Sequence, residues 1–185
     1  MIELVILLTS TLALPSDPGI TPDHPLYFLD LLLDEVKMFI ASLQGAEALA
    51  KAKTEVLNER LAELYVMATE NKTDKAMVVL YHINKLVEDL KALTFTHPHV
   101  ASICMRGLEV AERVLNTCMD ICPEKAKYGL QKAVENVERC KELLNETIHK
   151  RMKQCEQCME CWRKTEKWNY TPSEWMRTHK QLAKT

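Results

Sequence analysis

From Ala126 to Trp162 the chain repeats apolar residues at intervals of three or four: Ala126, Leu130, Ala133, Val137, Cys140, Leu144, Ile148, Met152, Cys155, Met159 and Trp162. A turn of α-helix takes 3.6 residues, so this spacing marks one face of a single long helix. Unbroken, it would reach about 60 Å at 1.5 Å per residue. Such a helix must bend, overhang its neighbours or meet another subunit. Only 4 Gly and 7 Pro interrupt the 185 residues, and the abundant Ala, Leu, Glu and Lys favour helix. The expected fold is all-α: a bundle of about five to six helices, one long helix after Pro123, and no sheet.

The other elements follow from their punctuation. Each Pro in the stretch Pro15 to Pro25 disfavours helix before it, so that stretch is an extended lead-in. Pro25 suits the first turn of a helix carrying Leu26, Leu29, Leu33, Val36 and Ile40. Gly45 interrupts, and a second helix carries Leu57, Leu61, Leu64 and Met67. Asn71-Lys-Thr73-Asp74 is a turn with a capping residue, followed by a third helix with Leu80, Ile83, Val87 and Leu90. His97-Pro-His99 breaks the chain before a fourth helix carrying Cys104, Leu108, Ala111, Leu115, Cys118 and Cys122, which Pro123 ends. Thr171-Pro-Ser-Glu174 has the form of a capping box and starts a short C-terminal helix through Trp175. The predicted core contains Leu29, Leu33, Leu61, Leu64, Leu80, Ile83, Val87, Leu130, Val137 and Leu144.

Residues 1–16 contain no Lys or Arg and form an apolar run from Leu4 to Leu14, broken by Thr9, Ser10 and Thr11. A membrane span needs roughly 20 apolar residues. The run fits instead the apolar region of a secretory signal, with Thr11 and Ala13 as small residues at the cleavage point. This predicts a secreted or cell-surface protein that begins near Leu14 to Ser16. The alternative is a buried first helix and a cytoplasmic protein. The triplets at Asn71, Asn145 and Asn169 fit N-glycosylation acceptors, which agrees with export. Residues 17–185 are expected to form one domain, with helices over 20–95 and a Cys-bearing hairpin plus short helix over 98–185.

Charge is divided along the chain. Up to Cys122 there are 10 Lys and Arg against 17 Asp and Glu, and from Pro123 onward 14 against 9. The halves are expected to attract each other within a bundle or between subunits. The basic half is interleaved with Glu, so no nucleic-acid surface is expected. Asp34-Glu35 and Glu88-Asp89 read as solvated helix faces.

Pro22-x-x-Pro25-Leu-Tyr27-x-Leu29, then Glu35, then Glu59-Arg60-Leu-Ala-Glu63, resembles a helical domain of unknown function found in exported or membrane-attached archaeal and bacterial proteins. The resemblance covers roughly Ile20 to Leu90. It implies export and an all-α, hairpin-like fold, and it implies no catalytic residue. The cysteines lie beyond it.

All seven Cys stand from Cys104 onward. In a hairpin of the fourth and fifth helices turning near Pro123, facing positions sum to about 244 to 248, a condition that Cys104 and Cys140 meet. Exported, they are expected to form a disulfide; in a reducing compartment they are two core thiols. Cys118 and Cys122 lie one turn apart at a helix end and are further disulfide candidates. Cys155, Cys158 and Cys161 fall on about a third of one helix's circumference. They could supply three corners of a zinc, copper or iron–sulfur site, with Cys122, Cys140 or His149 as the fourth ligand. The spacing resembles the first three ligands of bacterial ferredoxins, but the fourth Cys before Pro is missing. Seven is odd, so one thiol is left free or bridges a disulfide-linked homodimer.

Trp162, Trp168 and Trp175 stand among Lys and Arg, as in a partner or membrane-interface surface or in a C-terminal segment that caps the bundle. No phosphate loop, Ser elbow or His-Glu-x-x-His pattern is present. The leading expectation is therefore an exported, non-catalytic helical protein that binds or assembles, is stabilised by disulfides and needs no cofactor. A soft-metal protein using the Cys155 set comes second. A thiol-redox protein using Cys155 and Cys158 comes third, since a redox pair of that type normally sits beside a sheet.

Overall fold

The computed structural model describes residues 19–165, without the side chains of Cys155 and of residues 158–165. Five α-helices follow one another: α1 (Tyr27–Gln44), α2 (Ala46–Thr69), α3 (Thr73–Thr96), α4 (Ala101–Ile121) and α5 (Glu124–Thr165). A single 3-10 turn, Pro98–Val100, lies between α3 and α4. There is no strand among the described residues, so the all-α expectation holds. The leader and the helix expected from Thr171 lie outside them.

The breaks have local causes. Gly45 sits at φ 112, a region closed to residues with a side chain, and it separates α1 from α2 with a single residue. Asn71 takes the left-handed conformation, φ 58, in the turn before α3. No side chain caps α3. Cys122, forced extended by Pro123, ends α4 at ψ 148.

The chain divides into two compact units, one running to Asn145 and one from Glu146. In the first, α2 packs against α1, α3 and α4, so its apolar residues face several directions: Ala50, Val56, Leu57, Leu61, Leu64 and Met67 are all buried. On α5, Asn136 Nδ2 donates to Asn84 Oδ1 of α3 at 3.3 Å, and Lys141 pairs with Glu112 of α4. Leu61, Leu64, Leu80, Ile83, Val87, Leu130, Val137 and Leu144 all lie in the core. In the second unit Ile148 is half-buried and Met152 is exposed, and Lys150 pairs with Glu146 at 3.7 Å.

Leu29 and Leu33 are corrections. They are 39% and 65% exposed, and Val36 and Ile40, on the same stripe, are exposed as well. Periodicity shows that α1 is a helix but not which face turns inward. Here the inward face carries Tyr27, Asp34 and Ala41, and the apolar face looks out.

Candidate functional site

The inward face of α1 is polar because of what it meets on α2. Tyr27, Asp30 and Asp34 are spaced three and four apart and share one side of α1, while Arg60 and Glu63 share one side of α2. Arg60 is 1% exposed and Glu63 0%. The Arg60 guanidinium uses its donors in several directions. Nη2 donates to Asp30 Oδ2 at 2.7 Å and to Asp34; Nη1 donates to Glu63 and, at 3.3 Å, to the Tyr27 hydroxyl. That hydroxyl donates in turn to Glu63 Oε2 at 3.1 Å. The guanidinium carbon also lies 5.4 Å from the centre of the Tyr27 ring, a cation–π distance.

Three carboxylates surround one cation, so the cluster holds more negative than positive charge. Burial pushes Glu63 from an ordinary 4.5 up to about 7, with Asp30 adding to the rise and Arg60 opposing it. Burial also raises Tyr27, helped by Glu63. Burial acts to lower Arg60, but the carboxylates outweigh it and hold the guanidinium charged. A permanently charged cation with its donors engaged is a fastener and offers no free acid, base or nucleophile. Beside it, His82 is lowered, first by burial and then by Arg60 and Lys85. Asp34, expected to be solvated, is thus buried, whereas Glu35 is exposed and pairs with Lys85 of α3 at 3.5 Å.

The outward side of α1 is the converse. Phe28, Leu29, Leu32, Leu33, Val36, Phe39, Ile40 and Leu43 are all exposed, Leu43 by 74%. At 100° per residue they cover a strip about two-fifths of the circumference wide that contains no charged residue. Along one flank of this ridge runs a groove of about 550 Å³ between α1 and α2, lined by apolar residues such as Leu33, Ile40 and Ala52 and by the polar Lys37, Gln44, Lys51 and Glu55. Monomeric proteins rarely leave so large an apolar patch bare.

Cys104, Cys118, Cys122 and Cys140 are buried and stand as thiols. Cys140 Sγ donates to the Val87 carbonyl at 3.9 Å. Burial raises Cys104 and Cys122, takes Cys118 up to about 12 and takes Cys140 up to about 11. Cys104 is near enough to contribute to the rise at Cys140, and Cys122 to that at Cys118. Thiols held this far from ionising are poor nucleophiles. Among the described residues no group of three or more His, Cys, Asp or Glu is placed to hold a metal ion. Cys155, Cys158 and Cys161 lie on α5, their side chains outside the description, and His149 is exposed. Asn71 and Asn145 are exposed, whereas Asn169, Trp168 and Trp175 lie outside the described residues, as does the side chain of Trp162. No described helix is long and apolar enough to cross a membrane.

A family model matches residues 19–165. The chain belongs to that family, a domain of unknown function (DUF5667). The DUF5667 match extends well past Leu90, where the resemblance had been expected to end, and takes in the cysteines of α4 and α5. No curated protein and no solved structure matches the chain.

Sequence reasoning named Tyr27, Arg60 and Glu63 only as part of a resemblance and missed Asp30 and Asp34 as their partners. The available signal was an arginine in the middle of the Leu57, Leu61, Leu64 stripe. A cation at such a position is buried with partners or not at all.

Proposed function

We propose that this protein is an exported, non-catalytic helical module that works by binding or assembly, with the outer face of α1 as its working surface. One observation carries this reading. The Arg60 cluster gives α1 a polar inner face on α2 and thereby turns the Phe28–Leu43 stripe outward. The Pro-Leu-Tyr27 and Glu59-Arg60-Leu-Ala-Glu63 stretches act in this reading as the fastening that sets the orientation of α1. The apolar run from Leu4 to Leu14 and the exposed Asn71 and Asn145 support a secreted or cell-surface location. In such a compartment Cys104 and Cys140, buried on facing helices, would form a disulfide, with Cys118 and Cys122 as further candidates.

Hydroxyl-radical footprinting of the protein in its native material tests the working surface. Phe28 and Phe39 are expected to be protected there and to become reactive after purification and dilution. If both react in the native material as fast as free phenylalanine side chains, the binding reading is wrong.

A further inference from the structure

Part of the outward stripe of α1 has the spacing that two packed helices use. Leu29, Leu32, Val36, Phe39 and Leu43 follow one another at intervals of three, four, three and four. This is the a and d pattern of two helices packed knobs into holes, with Leu33 and Ile40 widening the seam on one side.

The area also fits a protein partner. Nine apolar side chains from Leu26 to Leu43 are 39% or more exposed, an area on the order of one side of a standard interface. A standard interface buries about 800 Å² on each partner. Charge points away from an anionic membrane: the charged residues of α1 are Asp30, Asp34, Glu35 and Lys37. The lone cation, Lys37, is already held by Glu55 at 3.2 Å and Glu59 at 3.4 Å.

From the seam and its area we infer that the occupant is a second copy of this chain, with α1 packed against α1 across a twofold axis. A self-complementary patch needs only one surface, used twice, and both halves of a heptad seam are present on this helix. The groove beside the ridge receives side chains of the partner helix, and the small Ala41, Ala48 and Ala52 leave them room. The inference rests on the binding reading above and gives it its partner.

The test is sedimentation equilibrium of the full chain under reducing conditions, which removes any cysteine-linked dimer. The wild type is expected to be dimeric at micromolar concentration. Leu33→Glu with Leu43→Glu is expected to weaken association at least 100-fold while leaving helicity unchanged, because both side chains are exposed in the single chain, and to melt at a temperature that no longer rises with protein concentration. Leu33→Met with Leu43→Met, which keeps the seam apolar, is expected to stay dimeric. A wild type that is monomeric at 100 μM, or a double-Glu variant that remains dimeric, overturns the inference. So does a monomer that co-sediments with phosphatidylcholine vesicles through Leu33 and Leu43. A monomer whose Phe28 and Phe39 are nonetheless protected in the native material defeats the second copy and leaves the binding reading standing. A monomer with both rings reactive there defeats both.

Discussion

Replacing Arg60 by alanine would leave Glu63 and Asp34 buried without their cation, a cost of about 3–5 kcal/mol for broken buried pairs of this kind. Chemical denaturation of Arg60→Ala is expected to show a shift of that order, and the Tyr27 hydroxyl keeps only Glu63 as its partner. Glu63 adds a pH dependence. Its folded pKa of about 7 lies above its ordinary 4.5, so the folded state holds the proton more tightly. The stability this supplies is complete below about 4.5 and is lost as pH rises through about 7. Melting curves should therefore show the wild type losing stability across that window relative to Glu63→Gln, which carries no titrating group. Above the window the variant should equal or exceed the wild type. At this scale the sequence was half legible. Tyr27, Arg60 and Glu63 were visible as a pattern, but only the approach of two helices 30 residues apart reveals that Asp30 meets Arg60, and side-chain spacing within one helix carries no such information.

Among the elements, α1 is the one whose placement hangs on a single residue. Gly45 alone joins it to α2, at a φ of 112 that any side chain strains. Nothing lies within 4 Å of the position a Cβ would take, so Gly45→Ala isolates backbone strain from crowding. The expected cost is about 1–3 kcal/mol in urea denaturation. It should fall mainly on α1, seen as faster hydrogen exchange in Tyr27–Gln44 than in α3. Helix boundaries were largely readable, because Gly45, the 71–74 turn, the His97-Pro-His99 stretch and Pro123 each break the chain for a stated steric reason. The inversion of α1 was not. Leu29 and Leu33 fit a core stripe as well as Leu61 and Leu64 do, and the difference lies in the polar surface that α2 offers, which is a property of the pair.

Over the whole molecule, the core of the first unit gathers the predicted residues of α2, α3 and α5, and four cysteines with them. Oxidation offers a measurement of the compartment for which this core is built. Refolded from denaturant in a glutathione redox buffer, where the thiols are accessible, the protein is expected to link Cys104 to Cys140, seen by peptide mapping, and to gain about 2–4 kcal/mol. Cys104→Ala should abolish that gain. Sequence arithmetic proposes this pairing because Pro123 fixes the hairpin turn and facing positions then follow by counting. It found no comparable constraint for Cys155, Cys158 and Cys161, which stand on α5 beyond Leu144, the last buried residue of the stripe among the described residues.

The inverted helix also gives experimenters two separate handles. Its inner attachment is ionic and buried, so added salt reaches it little. Its outer one is apolar, and sulfate strengthens such packing whereas cooling weakens it. A temperature or sulfate series should thus tune what α1 holds outside while its seat on α2 stays put, and acidity should work the seat alone.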